Sequence, residues 1–362
     1  MERRSFLKQA GAGVAAGTLA APAIAQGSAP TIKWRCTSSF PKSLDTIYGG
    51  AEVLANRVKA LTDGKFQIQV FAGGEIVPGL QALDATQNGT VEMCHTCSYY
   101  YVGKDKTFGF GTAVPFGMNV RQMNAWIYYG GGQKLLDDFY SNYNILSLAG
   151  GNTGVQMGGW FRKEINTLAD VKGLKMRIAG LGGSVFERLG AVPQQIAGGD
   201  IYPSLEKGTI DAAEWVGPFD DEKLGFYKVA KNYYYPGWWE SGPVIHFFIN
   251  MKEWAKLPKT YQEAITAAAY EANVTMMAEY DHKNPQSLAR LVQNGVKLHK
   301  YPDEILRAAN KAAQELYAEE SGKNPAFKKI HTEWNKYLRQ QNAWFSYAEA
   351  SMDDFMQTKA GR

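Results

Sequence analysis

The chain has 362 residues, 20% of them charged, with 39 Lys and Arg against 35 Asp and Glu and a formal net charge of +4. So small an excess excludes the strong basic field expected of a nucleic-acid or membrane-surface binder. Three cysteines, an odd number, argue against a disulfide scaffold, and after the first 25 residues no apolar run reaches the roughly 18 needed to span a membrane.

The N-terminal stretch "ERRSFLKQAGAGVAAGTLAAPAIAQ" carries Arg3-Arg4, a Gly/Ala-rich apolar segment and Ala23-Ile24-Ala25. This is the pattern of a twin-arginine export signal cleaved after Ala25. Its removal leaves 337 residues at a net charge of +2, enough for two domains with separate cores. "TIKWRCTSS" reads as a strand. "DTIYGGAEVLANRVKALTDG" reads as a helix closed by Gly64, and "KFQIQVFA" alternates with the period of a strand. "LQALDATQNG" reads as a helix and "VEMCHTCS" as the next strand. This βαβαβ order predicts a parallel sheet covered on both faces. "CHTC" has redox-motif spacing, but Cys94 and Cys97 end an apolar strand instead of opening a helix, where a thiolate would be favoured. Small residues packed in a strand are the simpler reading.

A second run starts near residue 151. The expected strands are "VQMGGWFRK", "LKMRIAG", "VPQQI" and "AAEWV", with helices "GSVFERLG" and "DIYPSLEKGTI" between them. The apolar run "VIHFFIN" then looks able to return to the first sheet. Two α/β lobes joined by several crossings make a hinged clamp, with its ligand in the cleft at the strands' carboxyl ends. The expected boundaries are 26–150 with about 243–285 for lobe I, and 151–242 with part of the C-terminal helices for lobe II. From Pro258 the chain reads as almost wholly helical. It ends in a long helix near 326–362, with Phe327, Ile330, Trp334, Leu338, Phe345, Met352 and Phe355 along one face.

Two acids stand in apolar company: Glu214 in "DAAEWVGP" and Glu240 in "YYYPGWWESGP". Buried ionised and unpaired, each would cost several kcal/mol. They could be partly exposed, could pair with Arg177, or could hold a hard cation. Gln156 offers a neutral oxygen for the last role. Arg177, in "KMRIAGLGG", could fork onto a small carboxylate. The glycines that follow it lack the full spacing of a dinucleotide loop. A pair of carboxylates also suits glycoside hydrolysis, although no H-E-x-x-H, G-x-S-x-G or other catalytic set accompanies them.

The stretches "VEMCHTCSYYYVGKD", "FGTAVPFGM", "GGWFRKEINTLADVKGLKMRIAGLGG" and "EWVGPFDDEKLGFYKVAKNYYYPGWWE" resemble the extracytoplasmic receptors of tripartite ATP-independent periplasmic (TRAP) transporters. The likeness covers nearly the whole chain beyond the export signal and is strongest to the branch binding 2-oxo acids such as pyruvate. It implies a two-lobed α/β clamp of the periplasmic-binding-protein kind with a long C-terminal helix, a periplasmic location and membrane subunits as partners. It implies that Arg177 pairs with the ligand carboxylate, that Gln156, Glu214, Trp215 and Glu240 surround a metal the ligand also chelates, that the Trp215 indole packs on the ligand, and that Gln156 and Tyr101 contact the ligand as well. Cys94 and Cys97 depart from the small residues usual there. Sodium is the cation the resemblance favours; charge balance favours calcium. The other readings are a receptor for lactate or another 2-hydroxy acid with calcium, a receptor for a dicarboxylate or sialic acid, and an exported two-carboxylate hydrolase. The apolar stripe of the tail predicts a homodimer held by the C-terminal helices.

Overall fold

The computed structural model describes residues 29–360. The twin-arginine segment and its cleavage point after Ala25 lie outside the described residues. β1 (Ile32–Ser38), β2 (Phe66–Phe71) and β3 (Met93–Thr96) run parallel in the order β2-β1-β3. β2 alternates buried and exposed residues, as an edge strand covered on one face does. The Gly49–Leu61 helix between β1 and β2 buries Gly50, Ala51, Leu54, Ala55 and Val58. It ends as expected at Gly64, whose φ of 74° lets its N–H reach back to the Lys59 carbonyl at 2.8 Å. The Ala82–Gln87 helix leads into β3.

β4 (Ile145–Asn152) closes this sheet on the far side of a returning strand, β10 (Val244–Asn250). β10 is the expected "VIHFFIN". It is buried along its whole length and pairs antiparallel with both β3 and β4, so the first sheet is mixed instead of purely parallel. Cys36, Cys94 and Cys97 are all buried and unbridged, as packed small residues.

The second sheet contains β5 (Trp160–Phe161), β6 (Lys175–Arg177), β7 (Val192–Gln194), β8 (Ala212–Ala213), β9 (Asn232–Tyr235) and β11 (Lys297–Lys300), in the order β11-β9-β5-β8-β6-β7. β5 is much shorter than the "VQMGGWFRK" expected. Gly159 takes a φ of 90°, which breaks the regular ladder, although the Gly158 N–H still donates to the Tyr234 carbonyl of β9 at 2.7 Å. "AAEWV" likewise stops pairing after Ala213. β11 interrupts the helical C-terminal part and pairs parallel with β9.

The 35-residue Lys259–Gln293 helix spans both lobes, packing on β4 and the Gly49–Leu61 helix at one end and on the Pro218–Leu224 helix at the other. After Asp303–Lys323, the long C-terminal helix runs over Pro325–Tyr347 and breaks at Ala348 (φ −85°, ψ −89°). It resumes as Glu349–Asp354 and a π-helical turn, Phe355–Lys359. Its first half buries Phe327, Ile330, Trp334 and Leu338 against lobe I. Trp344, Tyr347, Met352, Phe355 and Met356 beyond are exposed.

Candidate ligand-binding site

Arg177 ends β6, and Ala213, its register partner, ends the neighbouring parallel strand β8. The next residue, Glu214, therefore lies beside Arg177 at the carboxyl edge of the sheet, and its N–H donates to the Arg177 carbonyl at 3.1 Å. Both side chains are about 1% exposed. Arg177 Nη1 donates to the Glu214 carboxylate and, at 2.8 Å, to its main-chain carbonyl. Nε donates to the Ile196 carbonyl at 3.0 Å, and the Ala179 N–H donates to Glu214 Oε1 at 3.2 Å. Nη2 of Arg177 and Oε2 of Glu214 are buried with no partner.

Gln156 and Glu240 arrive on the two short connections between the sheets. The Gln156 N–H donates to the Glu240 carbonyl at 3.1 Å, and the Gly237 N–H donates to the Gln156 carbonyl at 3.0 Å. Gly237 admits no side chain: a Cβ there would lie 2.6 Å from the Gln156 carbonyl oxygen and 2.7 Å from that of Met157. Gln156 Nε2 donates to Thr153 Oγ1 at 3.2 Å, which orients the amide. Gln156 Oε1 and both Glu240 carboxylate oxygens remain buried and unpartnered. The Trp215 ring lies 5.0 Å from the Arg177 guanidinium carbon. Gly198 makes room for it, since a Cβ there would stand 2.6 Å from the indole.

Arg177, Gln156, Glu214, Trp215 and Glu240 thus converge, whereas Tyr101 does not join them. Ser98–Tyr101 is a 3₁₀ turn, in which residues three apart point the same way. Ser98 faces the lobe I core, bonded to Tyr140 and to the Phe108 carbonyl, and Tyr101 follows it. Its hydroxyl donates to or accepts from Thr96 at 2.9 Å and accepts from the Leu83 N–H at 3.1 Å. Tyr99 and Tyr100 turn to the site instead and sit within electrostatic range of Glu214 and Glu240. Gln195 Nε2, from lobe II, donates to the Tyr100 carbonyl of lobe I at 2.8 Å.

Burial raises the Glu214 carboxyl to about 7, against the pull of Arg177. Burial first, and repulsion by Glu214 second, hold Glu240 well above the carboxylate range. Two acids therefore share one arginine, and the site is short of positive charge. The unpartnered oxygens of Glu214, Glu240 and Gln156 are the hard donors that sodium or calcium prefers, so the residues fit such a cation. Among the described residues no group of three His, Cys, Asp or Glu side chains converges on a metal position. The amide and main-chain oxygens are therefore needed to complete a cation's shell.

A family model described as bacterial extracellular solute-binding protein, family 7 (DctP), matches residues 37–323. A Nostoc sp. protein named monocarboxylate 2-oxoacid-binding periplasmic protein is 48% identical over 360 residues, covering 98% of this chain and 99% of its own. Among solved structures, a TRAP transporter solute-binding protein of Bordetella bronchiseptica is 53% identical with a TM-score of 0.89, over 90% of this chain and 97% of its own. It was determined as a dimer with copurified calcium and picolinate in one site. A Colwellia psychrerythraea receptor with calcium and pyruvate is 37% identical (TM-score 0.87; 90% and 99% covered). A Pseudoalteromonas atlantica receptor with sodium and pyruvate is 38% identical (TM-score 0.87; 91% and 99% covered).

Proposed function

The chain belongs to the family 7 bacterial extracellular solute-binding proteins, and from that membership we propose that it captures a small 2-oxo monocarboxylate such as pyruvate, together with a metal cation, for a TRAP transporter. Proteins of this family are periplasmic receptors and not enzymes, so the two-carboxylate hydrolase reading of Glu214 and Glu240 falls. The observation that carries the proposal is the set of buried, unpartnered groups: one guanidinium nitrogen on Arg177, and the oxygens of Glu214, Glu240 and Gln156. Leaving such atoms unmade costs each the desolvation of its group. A 2-oxo acid and a cation satisfy both kinds at once.

Arg177 holds the ligand carboxylate through its free Nη2. Glu214, Glu240, Gln156 and the Trp215 main-chain oxygen hold the cation, which supplies a positive centre that a carboxylate and an adjacent oxo group can chelate. Tyr99 and Tyr100 close the site from lobe I in the place first given to Tyr101. With both glutamates ionised, one ligand charge and one arginine, calcium brings the site to neutrality and sodium leaves it at −1. Both ions accompany pyruvate in similar receptors. A 2-hydroxy acid such as lactate presents comparable oxygens and is the second ligand class to test. Picolinate in the Bordetella relative has the same arrangement, a carboxylate beside a second chelating atom.

We assign the described residues up to 150 and about 243–285 to lobe I, and 151–242 with part of the C-terminal helices to lobe II. The exposed Trp344, Tyr347, Met352, Phe355 and Met356 support a homodimer formed by the C-terminal helices. Export by the twin-arginine route follows from Arg3-Arg4. Native mass spectrometry of protein purified without added ligand tests the reading. A retained mass of a 2-oxo acid plus calcium or sodium is expected. Calorimetric silence toward a panel of 2-oxo acids in the presence of both ions would overturn it.

A further inference from the structure

Asp220 is fully buried in the first turn of the Pro218–Leu224 helix and belongs to neither the ligand nor the cation set above. Its Oδ2 accepts from the Trp215 indole N–H at 3.3 Å and from the Tyr280 hydroxyl at 2.7 Å. Its Oδ1 is buried without a partner. A buried carboxylate is a poor way to stabilise a core, since an apolar side chain of similar volume often does as well or better. What Asp220 achieves is to fix two donors at one point.

Those donors belong to different parts of the clamp. Trp215 lies over Arg177. Tyr280 lies on the helix that spans the lobes. The earlier turns of that helix are fastened to lobe I: Asn273 donates to Asn124 at 2.9 Å and to Tyr128 at 3.0 Å, and Arg57 pairs with Glu271 at 2.6 Å. Its later turns grip lobe II: the Phe219 N–H donates to Asn284 Oδ1 at 3.0 Å, and Arg290 pairs with Glu222 at 2.6 Å. Asp220 is the point at which this helix reaches the site.

We propose that Asp220 is a positioning residue for Trp215, and that the series Trp215–Asp220–Tyr280 ties the pose of the indole over Arg177 to the helix bridging the two lobes. The inference rests on the proposed function, in which Arg177 holds the ligand carboxylate and the Trp215 indole beside that guanidinium packs on the ligand. Two readouts test it. The first needs no ligand: the Trp215 indole N–H resonance, identified by its loss in Trp215→Phe, should move in Tyr280→Phe. The second is a cycle of pyruvate affinities. Asp220→Ala should weaken binding about tenfold, the usual scale for a lost hydrogen bond to a charged group. Asp220→Asn, which keeps an acceptor, should restore most of that. In a Trp215→Phe background the Asp220→Ala loss should shrink to within about twofold, because the group it acts through is gone. If Asp220→Ala does not fold, Tyr280→Phe takes its place in the cycle. An indole resonance unmoved by Tyr280→Phe, or a loss undiminished without Trp215, overturns the proposal. A wild type that binds no 2-oxo acid would instead refute the proposed ligand, and the resonance alone would then decide the role of Asp220.

Discussion

Arg177 holds Glu214 twice through a single nitrogen, at the carboxylate and at the main-chain carbonyl, and leaves its other terminal nitrogen buried and unpaired. The ion pair is therefore incomplete by construction. Arg177 is fixed in place by one set of bonds and retains another donor for something else.

Arg177→Ala should lose most pyruvate affinity, on the order of 2–5 kcal/mol, because both Glu214 and the ligand carboxylate would be buried without their partner. Arg177→Lys should recover only part, since an ammonium cannot reproduce the fork. Titration calorimetry reads both. An Arg177→Ala protein within twofold of wild type would place the carboxylate anchor elsewhere.

Cation and ligand should be linked. In chelator-treated, sodium-free buffer pyruvate should bind weakly, and adding the correct ion should restore it. Glu240→Gln should weaken the ion and the ligand together, because coupling between two sites is reciprocal. Calorimetry with sodium and calcium added separately identifies the ion. Affinity that ignores both ions would remove the shared-chelate reading.

Asp220 and Asp221 give a pH signature. Burial, the largest influence on each, pushes Asp220 to about 7 and Asp221 to about 6. The unfolded chain releases these protons near pH 4. Between about 4 and 7 the folded protein holds protons that the unfolded chain has lost. The stability they confer is complete below pH 4 and disappears as pH rises through the folded values. Buried His95 and His246, depressed to about 3 and 4, act in the opposite direction. The useful comparison is therefore between variants. Asp220→Asn should gain stability relative to wild type as pH rises from about 4 to about 7, measured by thermal melts in cation-free buffer. Parallel curves would contradict the burial of an ionisable Asp220.

The tail prediction is sharpened by its packing. Cutting before Phe327 would remove four buried side chains from lobe I and so would confound folding with assembly. Ending the chain after Tyr347, with Trp344→Ser and Tyr347→Ser, removes exposed apolar groups and the exposed Arg121–Glu349 ion pair but none of those four buried side chains. Light scattering should then show monomer where the full chain is a dimer, with ligand affinity retained. A full chain already monomeric at micromolar concentration would dismiss the interface.

Much of this fold is written in simple periods. β1, β2 and the Gly49–Leu61 helix follow directly from alternation and from Gly64. Glu214 and Glu240 stood out because tryptophans flank them. Other features leave no such trace. β11, "KLHK", is short, charged and mostly exposed, and only its partner β9 makes it a strand. The tyrosine run 99–101 gives no phase by itself; which rings face the site depends on a 3₁₀ turn set by Ser98. "DDEK" reads as a solvated helix start, yet Asp220 and Asp221 are buried under Trp215, Trp160, Tyr233 and Tyr280. Their partners come from four separate segments, and no local pattern brings those together.

The chain passes between its two sheets at 152–160, at 235–244 and along Lys259–Gln293. Lobes joined at these places, and again where the helices after β11 return to lobe I, cannot tumble freely against each other. Gln156 and Glu240 lie on the first two of these attachments and are bonded to each other there. An ion seated on them would load the pivot itself, setting the friction of the bearing as well as the contents of the jaw. Opening speed and cargo identity would then be governed at one spot, and a change of ion could retune release without altering a single residue that touches the acid.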